Sequence, residues 1–235
     1  MLRFSRREGE SSVHIRWYGQ SAFRLSDAHH TVFIDPFGSM EAAAKHGMRF
    51  GYAPITGATA DLLLITHEHM DHNGAEAVGG SPQIIRSTAG SFESPLGSVV
   101  AIASEHDDAA GTRRGPNTIF VFTLDGKRVC HFGDFGQSTL RPEQQRAIGA
   151  VDLLFLPVGG GPTIGAEGAI EVVRRLAPKR VVPMHYRTPA ISFLETADAF
   201  LASCPAVESL HQSEWDLPGG DAGGQTIFVP APPLG

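Results

Sequence analysis

The chain has 235 residues, of which 42% are hydrophobic and 19% are charged, and its formal net charge at pH 7 is -6. This composition is that of an ordinary soluble protein and argues against a disordered, collagenous or disulfide-rich class. The acidic balance argues against a broad surface that binds the phosphates of duplex nucleic acid. The length fits one domain over residues 1–235, and no linker rich in proline and serine divides it.

The cysteines and the N-terminal residues bear on the cellular compartment. Cys130 and Cys204 lie far apart and form no C-x-x-C pair, which argues against a disulfide framework and favours a reducing compartment. The N-terminal stretch "MLRFSRREGESS" has no apolar segment of the kind found in signal peptides. No run of about 18 apolar residues predicts a spanning helix. We therefore expect a cytoplasmic protein without a membrane partner.

The first half of the chain alternates short β-rich runs with turns. An irregular segment at 35–59 contains one predicted helical turn at 40–46, and a helix is predicted to begin with Asn73 as its cap. Asp125-Gly126 joins the last two runs as a hairpin. Strands are predicted at 13–18, 22–25, 31–35, 61–66, 83–88, 98–104, 117–124 and 128–134.

After residue 140 the pattern changes to helices that alternate with strands. Pro142 in the first turn and helical spacing of apolar residues predict the helices, and runs that are apolar on both faces predict buried strands. Helices are predicted at 141–150, 166–177 and about 191–202, and strands at 152–158 and 180–185.

The stretch "LLLITHEHMDHNG" at 62–74 joins a buried strand to a cluster of polar side chains. His67 and His69 alternate along the backbone and can point the same way, while Asp71 and His72 follow one turn later and can point toward a neighbouring position. Imidazoles and carboxylates are ligands for zinc and its first-row neighbours. The stretch therefore predicts half of a binuclear metal site, against the alternative of a solvated loop with incidental histidines.

Four ligands cannot complete two metal ions, so this interpretation requires at least two more histidines and a bridging acid at other strand ends. His106 follows the strand at 98–104. Asp134 lies in a glycine-flanked turn that allows close approach of the backbone, and His185 ends the run "RVVPMH". The chain supplies all three.

In this order, H-x-H-x-D-H followed by a lone His, a lone Asp and a final His, the residues resemble the metallo-β-lactamase superfamily. The segments "WYGQSAFRL", "TVFIDPF", "GPNTIFVFTLDGKRVCHFGDFG", "LPVGGGPTI" and "VVPMHY" are similar to its branch of small bacterial hydrolases. That branch contains ascorbate-phosphate lactonase and, more distantly, the N-acyl-phosphatidylethanolamine phospholipases. The resemblance covers about residues 13–190.

The resemblance implies an α+β fold, a four-layer αββα sandwich with the metals at one edge between the two sheets. It implies that Asp134 bridges two metal ions and that Asp71 also acts catalytically, by orienting a hydroxide and shuttling its proton. The first ion would be held by His67, His69 and His106, and the second by Asp71, His72 and His185.

These residues predict a metal-dependent hydrolase in which a hydroxide bridging two metal ions cleaves a small ester, lactone or phosphodiester. Two divalent ions, two carboxylates and a hydroxide leave a net charge of about plus one, which attracts an anionic or polarised oxygen. A metal ion can lower the pKa of a bound water to about 7. Zinc is the expected metal, with manganese and iron as alternatives, since nitrogen and oxygen ligands accept all three.

Two other functions stay open at this point. One is a nucleic-acid phosphodiesterase, which the acidic balance and the lack of room for an additional domain disfavour. The other is a metal-binding module without turnover. We expect a small-molecule substrate that is anionic or contains an ester, and no nucleic-acid partner, while a homo-oligomer remains compatible with the sequence.

Several residues beside the motif have two interpretations. Gln20 stands where several related sequences carry histidine, so we expect a different contact to a ligand or substrate there. Asp35 either accepts a hydrogen bond from a ligand imidazole or only forms an Asp-Pro turn. Arg113 and Arg114 either bind a substrate anion or belong to a solvated loop. Tyr186 either positions substrate or packs in the core. Two further residues, Glu68 and His131, are expected to be structural.

Overall fold

The computed structural model describes residues 12–41, 49–217 and 224–233. Its strands, in chain order, are β1 (His14–Gly19), β2 (Ala22–Ser26), β3 (Thr31–Ile34), β4 (Ala58–Thr59), β5 (Leu62–Ile65), β6 (Val78–Gly79), β7 (Gln83–Arg86), β8 (Gly90–Ser94), β9 (Gly97–Glu105), β10 (Pro116–Leu124), β11 (Lys127–His131), β12 (Leu153–Pro157), β13 (Arg180–Met184), β14 (Val207–Ser209), β15 (Glu214–Asp216) and β16 (Thr226–Val229). The helices are α1 (Pro142–Ile148), α2 (Ala166–Leu176) and α3 (Asp198–Leu201), with a 3-10 turn at Ala75–Ala77.

The longer strands form two sheets. The first sheet has the order β15-β1-β2-β3-β5-β7, and the second has the order β14-β16-β13-β12-β11-β10-β9-β8, while β4 and β6 pair separately. Apolar side chains of both sheets form one continuous core; rings meet across it at Phe23 and Phe155, with centroids 4.5 Å apart. The two sheets therefore pack face to face, as the predicted sandwich requires.

The outer faces of the two sheets are covered differently. Helices α1 and α2 pack on the second sheet; Gln144 on α1 donates a hydrogen bond to the carbonyl of Ala103 in β9. Over the first sheet, a second apolar cluster contains Phe37, Tyr52 and Ile191 from irregular segments. These covering segments are long enough to bury Phe33 and Leu63 on the outer side of the sheet, so the central strands are apolar on both faces.

Strand direction decides which chain segments meet at one edge. In the first sheet β3, β5 and β7 run parallel, and in the second sheet β11, β12 and β13 run parallel. Both β9 and β11 pair antiparallel with β10, so β9 points the same way as β11. The residues that follow β9, β11 and β13 therefore emerge at one edge of the second sheet, as the residues that follow β3 and β5 do in the first.

The predicted elements differ from the structure at the ends of several segments. The hairpin is confirmed, since Asp125 and Gly126 both have positive φ, 51° and 69°, between β10 and β11. The helix predicted from Asn73 is wrong: only a 3-10 turn forms before Val78 enters β6, where backbone pairing with β4 replaces helical hydrogen bonds. Most of the predicted turn at 40–46 lies outside the described residues.

The last predicted helix is much shorter than expected. Only Asp198–Leu201 is helical, because the backbone before it makes other hydrogen bonds. Ile191 pairs with Thr188, and the Glu195 N–H donates to the carbonyl of Gly159. The periodic apolar residues of 191–202 thus pack in two places rather than along one helix: Ile191 and Leu194 over the first sheet, and Ala197 and Phe200 in the main core.

Neither thiol is paired and the described helices are short. Cys130 is buried in β11 and Cys204 is half-buried, and both are free. Within residues 12–41, 49–217 and 224–233, no helix combines the length and the apolar character needed to cross a bilayer.

We expect Phe155→Ala to lower the free energy of unfolding by about 3–5 kcal/mol, because it removes a fully buried ring at the contact between the sheets. Urea unfolding monitored by fluorescence measures this change. Ile84→Ala is the matched control, since Ile84 is 46% exposed on β7 and its truncation should cost less than about 1 kcal/mol. Equal effects of both substitutions would contradict the sandwich core.

Candidate metal centre

The structure brings all seven side chains that the sequence singles out to one edge of the sandwich. His67, His69, Asp71 and His72 follow β5 in the first sheet. In the second sheet the other three side chains follow three strands that point the same way, namely His106 after β9, Asp134 after β11 and His185 after β13. Short interatomic distances within this group show that the seven side chains form one cluster, hereafter the His/Asp cluster.

Asp134 lies at the centre of the His/Asp cluster. Its Oδ2 is 3.1 Å from His106 Nε2 and 3.2 Å from His185 Nε2. Its Oδ1 is 3.3 Å from His72 Nε2, and His67 Nε2 is 3.9 Å from Oδ2. The side chain is 3% exposed. One buried carboxylate thus faces imidazoles from both sheets with its two oxygens.

The cluster divides into groups whose donor atoms lie within 4.8 Å of one another. One group is His67, His69 and His106, and another is Asp71, His72 and His185. His67, His72 and Asp134 form a third group, which connects the first two. The donors are imidazole nitrogens and carboxylate oxygens, a set that suits zinc, manganese and iron.

Hydrogen bonds on the far side of the rings orient His67 and His72. The Thr66 hydroxyl donates its one proton to Asp35 Oδ2 at 2.7 Å, so it must accept from His67 Nδ1, which lies 3.0 Å away. His72 Nδ1 donates to Asp35 Oδ2 at 3.0 Å. In both rings Nδ1 therefore carries a proton, and Nε2 is the nitrogen directed into the cluster.

His106 is oriented in the same way by a backbone carbonyl. Its Nδ1 donates to the carbonyl of Pro162 at 3.0 Å, which directs Nε2 toward Asp134. Asp134 itself is held by its backbone N–H, which donates to Asn117 Oδ1 at 3.0 Å. Ser21 Oγ donates to Asp134 Oδ1 across the two sheets at 3.4 Å. The donor atoms are thus pre-positioned by the protein around them.

The electrostatics of the cluster favour positive charge between the two sheets. Burial favours the neutral form of His72, but the carboxylates of Asp134, Asp71 and Asp35 outweigh it and hold its pKa well above the usual range. Burial alone would raise the pKa of Asp134, yet the surrounding imidazoles hold it well below its usual range. At His67, burial and the nearby positive charge of His72 push the pKa well below the usual range.

The donor set fits divalent cations. His72 Nε2 is buried within 3.3 Å of Asp134 Oδ1 and 3.5 Å of Asp71 Oδ2, yet it makes no hydrogen bond to the described residues. A buried nitrogen without a partner is costly unless something else satisfies it, and three carboxylates around His72 stabilise a cation there. The residues at this edge are therefore consistent with a bound metal.

Three left-handed residues that are not glycine contact the cluster. Gln20, Asp35 and His185 have φ of 50°, 48° and 50°, a conformation that costs roughly 1–3 kcal/mol for such residues. Each follows a strand, β1, β3 or β13, and turns the chain there. Five other non-glycine residues among those described also have positive φ, so these three turns shape the cluster without being confined to it.

Two glycines allow neighbouring loops to approach the backbone of His106 and His185 closely. A Cβ at Gly136 would lie 2.5 Å from the carbonyl of His106, and one at Gly159 would overlap the carbonyl oxygen of His185. The glycine-rich run after β12 therefore packs directly against the backbone that carries His185, as expected for a sharp turn beside the site.

The residues with two interpretations are now assigned by their contacts. Asp35 is buried and accepts from His72, so it does more than form a turn. Gln20 Nε2 lies 3.4 Å from Asp71 Oδ2, and its Oε1 is buried without a partner among the described residues. Tyr186 is buried with its ring 5.8 Å from that of Trp17, which favours the packing role.

Glu68 and His131 are structural, as expected. The Glu68 carboxylate accepts hydrogen bonds from Arg86 and Ser87. These contacts lower the pKa of Glu68 to about 2, and the hydrogen bond from Arg86 contributes most. His131 Nε2 donates to the carbonyl of Ser21, while its Nδ1 accepts from the Gly133 N–H. Burial lowers the pKa of His131 to about 4, so it is a neutral link between the two sheets.

Sequence reasoning missed the groups that orient the cluster from outside the motif. These are Thr66, Ser21, Asn117 and the carbonyl of Pro162. Thr66 directly precedes the motif, and that adjacency could have drawn attention to it. A backbone carbonyl leaves no signal in the sequence, so the role of Pro162 is visible only in three dimensions.

A cavity of about 130 Å³ opens onto the His/Asp cluster. His69, Asp71, His106, Asp134 and His185 form its polar floor. The rest of its lining is one cation and five apolar residues, which are Arg114, Met40, Phe50, Met70, Pro162 and Phe193. A small reacting group can therefore reach Asp134 from solvent, past a mouth that is largely apolar.

Comparison with known proteins gives three findings. A family model described as a beta-lactamase superfamily domain matches residues 14–185. A UPF0173 metal-dependent hydrolase of Thermus thermophilus is 30% identical over 200 residues, which cover 75% of this chain and 84% of the relative. Another of Methylobacterium nodulans is 32% identical over 225 residues, covering 81% and 92%.

The fold is also similar to a solved structure from Thermotoga maritima, a protein assigned to the metallo-beta-lactamase superfamily. The two superpose with a TM-score of 0.75 and 30% sequence identity, over 92% of this chain and 97% of the other. The predicted α+β metallo-β-lactamase sandwich is therefore confirmed.

Proposed function

Because the chain belongs to the metallo-β-lactamase superfamily, among relatives named metal-dependent hydrolases, we propose that it hydrolyses a small ester, lactone or phosphodiester with two divalent cations. The observation that carries this proposal is the position of Asp134. Its two oxygens face imidazoles from both halves of the cluster, within 3.1–3.3 Å of three of them. A carboxylate placed in this way suits a bridge between two ions.

The ligands divide according to the groups of donor atoms. We assign His67, His69 and His106 to one ion and Asp71, His72 and His185 to the other, with Asp134 shared. When bound, the pair of cations would supply a hydroxide at neutral pH, since a metal ion can lower the pKa of water to about 7. Zinc is the proposed metal, and manganese or iron suits the same donors.

Around this centre the side chains of the chain have distinct tasks. Asp35 and Thr66 keep the Nε2 lone pairs of His72 and His67 directed inward. Asp71 is the partly exposed carboxylate of the set, with 21% of its side chain accessible, and Gln20 contacts its Oδ2. We assign it the second task of orienting the nucleophile and moving its proton toward solvent.

The proposed substrate is a small molecule. The cavity over the cluster has a volume of about 130 Å³, which is small beside typical ligand sites of roughly 300–1,000 Å³ and suits the reacting group of a substrate whose remainder lies outside. A formal net charge of -6 supports a small-molecule partner over duplex nucleic acid.

We expect EDTA to abolish hydrolysis of bis-4-nitrophenyl phosphate or of a simple lactone. Dialysis against zinc, manganese or iron in separate samples should restore it, and the metal content per chain should rise toward two. Elemental analysis and release of product measure both quantities. A sample carried through the same dialysis without EDTA is the control. Full turnover by chain that elemental analysis finds free of metal would refute the proposal.

A further inference from the structure

A second cavity lies beside the cavity over the His/Asp cluster. It is an open cleft of about 710 Å³ whose polar lining includes Asp107, Asp108, Arg113, Arg114, Ser138 and Thr163. Arg114 and Pro162 line both cavities. Because the Pro162 carbonyl also orients His106, the wall between the cleft and the cluster is part of the metal centre itself.

Arg114 is the available cation at this junction. Its neighbour Arg113 already binds Asp108, with 3.1 Å between Nη1 and Oδ1. The side chain of Arg114 is exposed, and over residues 12–41, 49–217 and 224–233 it has no hydrogen bond or ion pair. A guanidinium in this state can bind a carboxylate or phosphate with two parallel hydrogen bonds.

The acidic residues of the cleft do not compete for Arg114. Both oxygens of Asp107 accept backbone N–H groups, those of Ala109 and Gly111 on Oδ1 and those of Arg113 and Arg114 on Oδ2, at 2.7–3.0 Å. Asp108 is paired with Arg113. Asp107 thus ties the loop that carries Arg114 to His106, its neighbour in sequence, and holds the backbone of Arg114 close to the cluster.

The cavity over the cluster also has an apolar lining. Four large apolar side chains of the described residues are at least 42% exposed, and two of them, Met70 at 45% and Phe193 at 46%, line this cavity. When a ligand covers exposed apolar side chains beside a site, the burial of their surface makes binding more favourable. Met40 and Phe50 extend the same wall.

We propose that the substrate is an amphiphilic anion. Its carboxylate or phosphate binds Arg114 in the cleft, its apolar part lies against Met70 and Phe193, and the bond to be hydrolysed lies between them at Asp134. This inference rests on the proposed function for the identity of the reacting bond. The placement of the two recognition groups rests on the cavities alone.

The test compares binding of 4-phenylbutanoate with that of 4-phenylbutanamide, which differ only in charge, to the metal-loaded chain by calorimetry. We expect the anion to bind roughly 10-fold or more tightly, as a charge-assisted hydrogen bond implies. Arg114→Gln should remove this preference. The matched control Arg113→Gln makes the same charge change one residue away and should keep it.

The apolar wall is tested with the same two probes. Phe193→Ala should weaken both by a similar factor, roughly 3-fold to 10-fold. A preference for the anion that survives in Arg114→Gln, for instance because the carboxylate binds the cations directly, would overturn the anion site. Unchanged binding of both probes to Phe193→Ala would overturn the apolar site.

Hydrolysis of the neutral ester 4-nitrophenyl acetate separates this inference from the proposed function. If EDTA abolishes turnover, but the preference for 4-phenylbutanoate over the amide does not depend on Arg114, the proposed hydrolase is supported and the anion site at Arg114 is rejected. An Arg114-dependent preference without turnover of any ester or phosphodiester would reject the hydrolase and retain the anion site.

Discussion

Asp134→Asn should reduce hydrolysis by at least about 100-fold and lower the metal content below two ions per chain. Substitution of residues that only orient a metal ligand already costs roughly 10–100-fold in metal affinity or activity. Asp134 faces the donor atoms directly, so its substitution should cost at least as much. The amide is nearly the same size as the carboxylate but carries no charge. It therefore cannot offset two cations or the imidazoles packed around it.

Turnover of bis-4-nitrophenyl phosphate and elemental analysis measure the two effects on the same preparation. Asp216→Asn makes the same chemical change at a surface position that pairs with His14, away from the cluster, and should leave both quantities unchanged. An Asp134→Asn chain that retains two ions and full turnover would show that this carboxylate does not bridge them.

Asp35→Asn should weaken metal binding by roughly 10–100-fold although Asp35 belongs to none of the three groups of donors. Its Oδ2 accepts from both the Thr66 hydroxyl and His72 Nδ1. An amide nitrogen in that position donates and cannot accept from either group. His72 then loses the hydrogen bond that keeps its Nε2 lone pair directed into the cluster.

Competition with a chelating dye measures zinc affinity, and urea unfolding of the same variant measures stability. Thr66→Ser is the matched control, since it keeps the hydroxyl between Asp35 and His67. Its zinc affinity should stay within about 3-fold of the parent chain, a smaller change than the loss of an orienting partner causes. If Asp35→Asn lowered stability but left zinc affinity intact, Asp35 would be a turn residue only and not a positioning residue for His72.

Local pattern was sufficient for most of the elements that carry the cluster. Runs with alternating apolar residues and runs that are apolar on both faces predicted β5, β9, β11 and β13 close to their observed bounds. This succeeded because the burial pattern of a strand depends on residues that are neighbours in sequence. The prediction failed for the helix at Asn73 and for most of 191–202. There, pairing with distant segments replaced local helical hydrogen bonds.

What the sequence by itself determined is the set of seven polar side chains and their order, each placed just beyond a strand end. Their convergence was expected because the four ligands of one stretch cannot complete two metal ions, so the remaining ligands had to come from other strand ends. Only the tertiary structure decided how the rings are oriented, through Asp35, Thr66 and the Pro162 carbonyl. It also decided that Arg114 and Phe193 line one cavity. Such contacts join residues far apart in the chain, and their geometry depends on how the two sheets and their loops pack, which no local periodicity encodes.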